Sequence, residues 1–94
     1  MPRVPSDAAT HIGALISAER VKVGMTQDQL AAASGIDSSN IRAYENGRAM
    51  PSIQTLVRLA EGLGASPAEL LDGVRSDMFP IPLDDRRRRR ADRR

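Results

Sequence analysis

Five times before residue 74 a short apolar stretch is opened by a helix-capping residue and closed by glycine, so this chain is cut into pieces that suit short helices. Ser6 and Asp7 stand before the first stretch, which carries Ile12, Leu15, Ile16 and Val23 and stops at Gly24, predicting a helix over about residues 8–23. Thr26-Gln27-Asp28-Gln29 reads as a capping box for a second helix with Leu30, Ala31 and Ala33, ended by Gly35. Asp37 caps a third, from Ser38 to Asn46, whose apolar marks are Ile41 and Tyr44 and whose stop is Gly47. Pro51-Ser52 opens a fourth with Ile53, Leu56, Val57, Leu59, Ala60 and Leu63, closed by Gly62 or Gly64. Ser66-Pro67-Ala68-Glu69 starts a short fifth with Leu70 and Leu71.

The expected fold is therefore all-α, a five-helix bundle, followed by an extended or disordered Pro- and Arg-rich tail. Phe79-Pro80-Ile81-Pro82-Leu83 alternates prolines that forbid helix, and Asp84 to Arg94 is charged and repetitive. Ninety-four residues make one core. With aromatics at 2% (Tyr44 and Phe79), that core is aliphatic, which suits helix packing better than a sheet sandwich. The boundaries expected are an arm at 1–7, a helical domain at 8–74 and a tail at 75–94.

The chain has no cysteine and one histidine, His11, so no disulfide, metal site or cofactor is expected. No apolar run approaches the roughly 20 residues of a membrane helix, and the N-terminus lacks the basic-then-apolar order of a signal peptide. The expectation is a cytoplasmic, nucleoid-associated protein with no membrane partner. Nucleophile systems, paired buried carboxylates and glycine-rich phosphate loops are also missing, so no enzyme is expected.

The formal net charge of +2 conceals an uneven distribution. Residues 1–74 carry six basic side chains against eight acidic, whereas 75–94 carry eight arginines against four aspartates. A body that is not basic must bind a polyanion through a local patch and oriented side chains, with long-range attraction left to the tail.

Two helices joined at Gly35-Ile36-Asp37 have the length and punctuation of a helix-turn-helix. Ala31 is small where the helices cross, and Leu30, Ile36, Ile41 and Tyr44 hold the later helix to the earlier one. Ser38, Ser39, Arg42 and Ala43 have no packing duty. Arg20 is the anomaly, since it falls on the apolar stripe of the first helix and needs a partner.

These residues resemble the lambda-repressor and Cro superfamily of helix-turn-helix domains, also called the xenobiotic-response-element family. The resemblance covers about residues 8–74. It is carried by Met25-Thr26-Gln27-Asp28-Gln29-Leu30-Ala31, Ser34-Gly35-Ile36, Ile41-Arg42-Ala43-Tyr44-Glu45-Asn46-Gly47-Arg48, Pro51-Ser52 and Leu56. It implies double-stranded DNA as partner, with the third helix in the major groove. Ser38, Ser39, Asn40, Arg42 and Ala43 are then the base-contacting set, and Gln27, Asn46 and Arg48 the phosphate-contacting set. It further implies a structural ion pair between Arg20 and Glu45, which accounts for the misplaced arginine. Ser38 and Ser39 are shorter than the glutamines of some phage repressors, so the operator sequence does not transfer.

The function expected is transcriptional regulation, as a repressor or activator, by operator occupancy. A homodimer is expected from family habit, with Leu63, Leu70, Leu71 and Val74 as its interface. An antitoxin or a restriction–modification controller would use the same domain, and so would a protein–protein adaptor with a protein partner. The arginine run at 86–90 suits a DNA or RNA arm as well as a solvated tail, and both readings stay open.

Overall fold

Side-chain caps set the starts of the helices in the computed structural model, which describes residues 6–80. The first helix, α1 (Asp7–Lys22), is capped by the Ser6 hydroxyl, which accepts from the Ala9 amide at 3.0 Å. The second, α2 (Gln27–Ser34), begins with a complete capping box: Thr26 Oγ1 accepts from the Gln29 amide, and Gln29 Oε1 accepts from the Thr26 amide. The third and fourth are α3 (Ser38–Glu45) and α4 (Ile53–Leu63), the latter capped by Ser52. All regular structure among the described residues is helical. Replacing Thr26 with alanine removes one half of the capping box and is expected to cost about 1 kcal/mol in urea unfolding.

Asp37 departs from its expected part. It occupies the N-cap position of α3, yet its carboxylate makes no cap bond and instead accepts from the Ser39 hydroxyl. The fifth helix also differs, because Pro67–Leu71 forms a 3-10 helix rather than an α-helix. Its start signal works, with Ser66 and Glu69 closing a capping box. Five residues are too few for a ladder of i→i−4 bonds, and the tighter turn suffices to insert Leu70. A further 3-10 turn, Ser76–Met78, lies where no helix was expected. Residues 1–5 of the expected arm, the arginine run and most of the tail lie outside the described residues, while Ser6 and Asp7, also assigned to the arm, cap and open α1.

The core is aliphatic and small: Ile12 and Ile16 of α1, Leu30 of α2, Ile41 of α3, Leu56, Leu59, Ala60 and Leu63 of α4, and Leu70. In this bundle α1 packs mainly on α3, α2 packs mainly on α4, and the 3-10 segment touches both α1 and α4. Eight-residue helices such as α2 and α3 are not stable alone in water. Each is anchored by one side chain without any solvent exposure, Leu30 and Ile41 respectively.

Two expected core positions lie at the surface. Val23 is the C-cap of α1, beyond its last buried residue Ile16, and Ile53 sits in the first turn of α4 with 73% exposure. Periodicity assigns a residue to a stripe but does not say how far along the helix the neighbours cover it. Of the two candidate stops for α4, Gly64 takes the left-handed C-cap, and Gly62 lies within the helix against the backbone of Ala33 and Ser34.

Candidate nucleic-acid interface

The turn between α2 and α3 is built from local hydrogen bonds. Gly35 adopts φ 73°, a conformation that costs other residues roughly 1–2 kcal/mol, and its amide donates to Ala31 O at 2.9 Å. Ser34 Oγ donates to Leu30 O and accepts from the Ile36 amide. The chain is thus turned and held before α3 begins.

Successive α-helical residues are about 100° apart, so burying Ile41, with Tyr44 half-buried against the core, commits the opposite side of α3 to solvent. Arg42, Ser39 and Asn40 are exposed, while Ser38 and Ala43 are half-buried. Asn46 and Arg48, at the end of the helix and just after it, are also exposed. Gly47, at φ 74°, closes the helix: its amide donates to Tyr44 O and the Arg48 amide donates to Ala43 O at 2.9 Å.

Behind that face runs a continuous polar network. Arg20 Nε and Nη2 donate to the two oxygens of Glu45 at 2.7 and 3.0 Å, and Nη1 donates to Met25 O at 2.8 Å. The Arg20 and Glu45 side chains are only 16% and 6% exposed. Gln27 Nε2 donates to Glu45 Oε1 at 3.0 Å, and Arg42 Nε donates to Gln27 Oε1 at 3.3 Å. The network therefore joins α1, α2 and α3 and reaches the surface at Arg42. Burial pushes the Glu45 carboxyl up, but hydrogen bonds from Arg20, Gln27 and Ser17, together with the Arg20 charge, outweigh it and hold the pKa below the ordinary glutamate value. The hydrogen bond to Glu45 raises the Arg20 guanidinium in turn.

Two helix approaches run over glycines inside helices, Gly13 of α1 and Gly62 of α4. A Cβ on Gly13 would lie 2.1 Å from Tyr44 O, so α1 admits the C-terminal end of α3 only because position 13 has no side chain. A Cβ on Gly62 would lie 3.2 Å from Ser34 and 3.3 Å from the backbone of Ala33, so α4 also lies tight against the end of α2 there. The signal available was a glycine inside a helical pattern, where it costs stability unless packing demands it. His11 Nε2 lies 2.6 Å from Asp72 O and ties α1 to the loop after the 3-10 segment.

Of the residues expected to pair two copies, Leu63 and Leu70 are consumed by the chain's own core, at 5% and 0% exposure. They have no surface to offer a partner. Leu71 is exposed and Val74 half-buried.

Among the described residues no group of three histidine, cysteine, aspartate or glutamate side chains is placed to hold a metal ion, and no helix is long and apolar enough to cross a membrane.

Known proteins share this arrangement. An HTH-type transcriptional regulator of Sinorhizobium fredii, y4dJ, is 35% identical over 60 residues, covering 64% of this chain and 78% of that protein. The restriction-modification controller protein C.AhdI from Aeromonas hydrophila superposes with a TM-score of 0.64 at 31% identity, covering 66% of this chain and 94% of the controller. A mutant of another such controller, C.Esp1396I, gives a TM-score of 0.68 at 26% identity, covering 73% and 87%. The helix-turn-helix family model HTH_3 matches residues 16–70, spanning α2, the Gly35 turn and α3 with the helices that brace them, and the chain belongs to this family of transcriptional regulators.

Proposed function

We propose that the chain binds double-stranded DNA sequence-specifically, with α3 in the major groove, and regulates transcription by operator occupancy as a homodimer. The observation that carries this reading is the exposed Ser39–Arg42 face of a helix whose other side is locked by Ile41 and the Glu45 network. Arg42 has the two-pronged geometry that takes guanine O6 and N7 together. Ser38, Ser39, Asn40 and Ala43 lie within reach of the same base edges, while Gln27, Asn46 and Arg48 serve the phosphates on either side. The described residues carry nine acidic side chains against six basic ones, so binding rests on this local constellation rather than on overall charge. Residues 8–74 form the DNA-binding unit, and Leu71 with Val74 supplies apolar surface for pairing two copies. Half-sites about 34 Å apart then present successive major grooves to two copies of α3.

The likeness to two restriction-modification controllers favours a regulatory role over an adaptor role, and DNA upstream of the chain's own gene is the first candidate target. The direct test is footprinting on duplex DNA from upstream of that gene and on a random-sequence duplex library. Protection of paired half-sites is expected. Replacing Arg42 with alanine should weaken binding by about 1–3 kcal/mol and relax base preference at one position per half-site. Binding to no duplex at low salt would remove the proposal.

A further inference from the structure

After the 3-10 segment Pro67–Leu71 the chain turns back along α1. His11 Nε2 meets Asp72 O at 2.6 Å, and a Cβ on Gly73 would lie 3.2 Å from the same imidazole ring. Val74 then packs against the core. One turn nearer the start of α1, Ser6 and Asp7 share a cleft of about 230 Å³ with Asp77, Met78, Phe79 and Pro80. Residues 72–80 therefore run antiparallel to the beginning of α1, from His11 to its N-cap. Ala8 and Ala9 in that first turn are 0% and 4% exposed, so this end of the helix is covered rather than frayed. The chain thus reaches Pro80 at a defined place on the body.

The same turn of α1 also meets the loop that closes α3. A Cβ on Gly47 would lie 2.9 Å from Thr10 Oγ1 and 3.1 Å from Thr10 Cα. Arg48, exposed and read above as a phosphate contact, follows directly. Pro80 and Arg48 therefore both lie next to the first turn of α1. Beyond Pro80 the sequence holds seven arginines against three aspartates, five of the arginines consecutive at 86–90. Arg86 is at most about 20 Å of chain away from Pro80, and each DNA strand carries a charge about every 3.4 Å along the axis. The described body, with nine acidic side chains against six basic ones, offers a phosphate backbone little attraction of its own.

We infer that residues 86–90 are a backbone-binding arm, launched from the first turn of α1 onto the phosphates that flank each half-site on the Arg48 side. The inference rests on the reading of α3 as the base-reading helix and extends the contacted DNA beyond that helix. The place of departure, beside Arg48, favours the bound duplex over a separate RNA as the arm's partner. Phosphate contacts carry no sequence information, so the arm adds affinity and leaves base preference to α3.

The test uses the full chain with Arg86–Arg90 all replaced by glutamine, which leaves every described residue unchanged. Its binding to a duplex recovered by the unaltered protein from a random-sequence library is measured from about 50 to 200 mM salt. The slope of log affinity against log salt should become shallower by about 3 per chain, at about 0.9 for each arginine on a phosphate. The affinity ratio between the recovered duplex and a random one should stay unchanged. The chain has no cysteine, so Ala91→Cys gives a single attachment point for iron–EDTA and keeps every arginine. Strand cleavage is expected at one edge of each protected half-site. A slope change below about 1 per chain, cleavage spread evenly along the duplex, or a larger loss of affinity for single-stranded RNA than for duplex would overturn this inference alone. An unaltered protein that recovers no duplex from the library would overturn the proposed function along with it.

Discussion

Arg20→Ala is expected to lower the unfolding free energy by about 3 kcal/mol, at the lower end of what breaking a buried ion pair costs, since Arg20 keeps some exposure. The loss comes from what is left behind. Glu45 keeps its charge in a site with 6% side-chain exposure, and Met25 O loses its donor. Arg20→Lys recovers only part of the difference, because an ammonium cannot engage both Glu45 oxygens and the Met25 carbonyl with the same planar fork. Urea unfolding of the three proteins measures the effect, and wild-type stability in Arg20→Ala would show that the pair contributes nothing to the fold.

The same pair gives stability a pH dependence of known sign. The folded-state pKa of Glu45 is depressed, so its contribution is fully present above the ordinary glutamate pKa and is lost as the pH falls through the lower folded value. The unfolded chain binds the proton first, and acid therefore favours unfolding. Melting temperatures should fall on the acid side, and in Glu45→Gln that fall should be shallower from a lower starting point. An acid limb of equal slope in both proteins would assign the dependence to other carboxylates.

Gly13→Ala is the second large effect, expected at about 3 kcal/mol, the upper end of the overpacking range. The added methyl would sit 2.1 Å from Tyr44 O and 3.1 Å from Glu45 O, and these are backbone atoms that no rotamer change can move. Alanine is otherwise the better helix former by about 1 kcal/mol, so a substitution that would stabilise an isolated α1 should destabilise the protein. Relief requires α3 to back away from α1, which lengthens the Arg20–Glu45 bonds and tilts the face carrying Arg42. DNA affinity measured at saturating folded protein should therefore fall as well. A melting temperature at or above that of the unaltered chain would refute the crossing.

How much could be read in advance depended on the range of the forces involved. Caps and stops are local: Thr26 with Gln29, Ser52, Ser66 with Glu69, and Gly35 act within three or four residues and were legible. Asp37 misled because a carboxylate near a helix start can accept from a side chain as readily as from the backbone, and Ser39 took it. The resemblance supplied Arg20 and Glu45 as partners, whereas the helical period alone could say only that an arginine stood out of place. Leu63 and Leu70 were misread as interface because an apolar stripe does not reveal whether the same chain or another will cover it.

From the residues themselves came the helical class, the positions of α1 to α4, the turn at Gly35 and the unpacked side of α3, all of which follow from local capping and helical period. The tertiary structure alone decided how closely α3 approaches Gly13, which leucines remain at the surface, that the last segment is a 3-10 turn, and which way the Gln27 amide faces. Those outcomes depend on distances between residues remote in the chain, where a missing Cβ or a carboxylate fixed by another helix changes what a side chain can do.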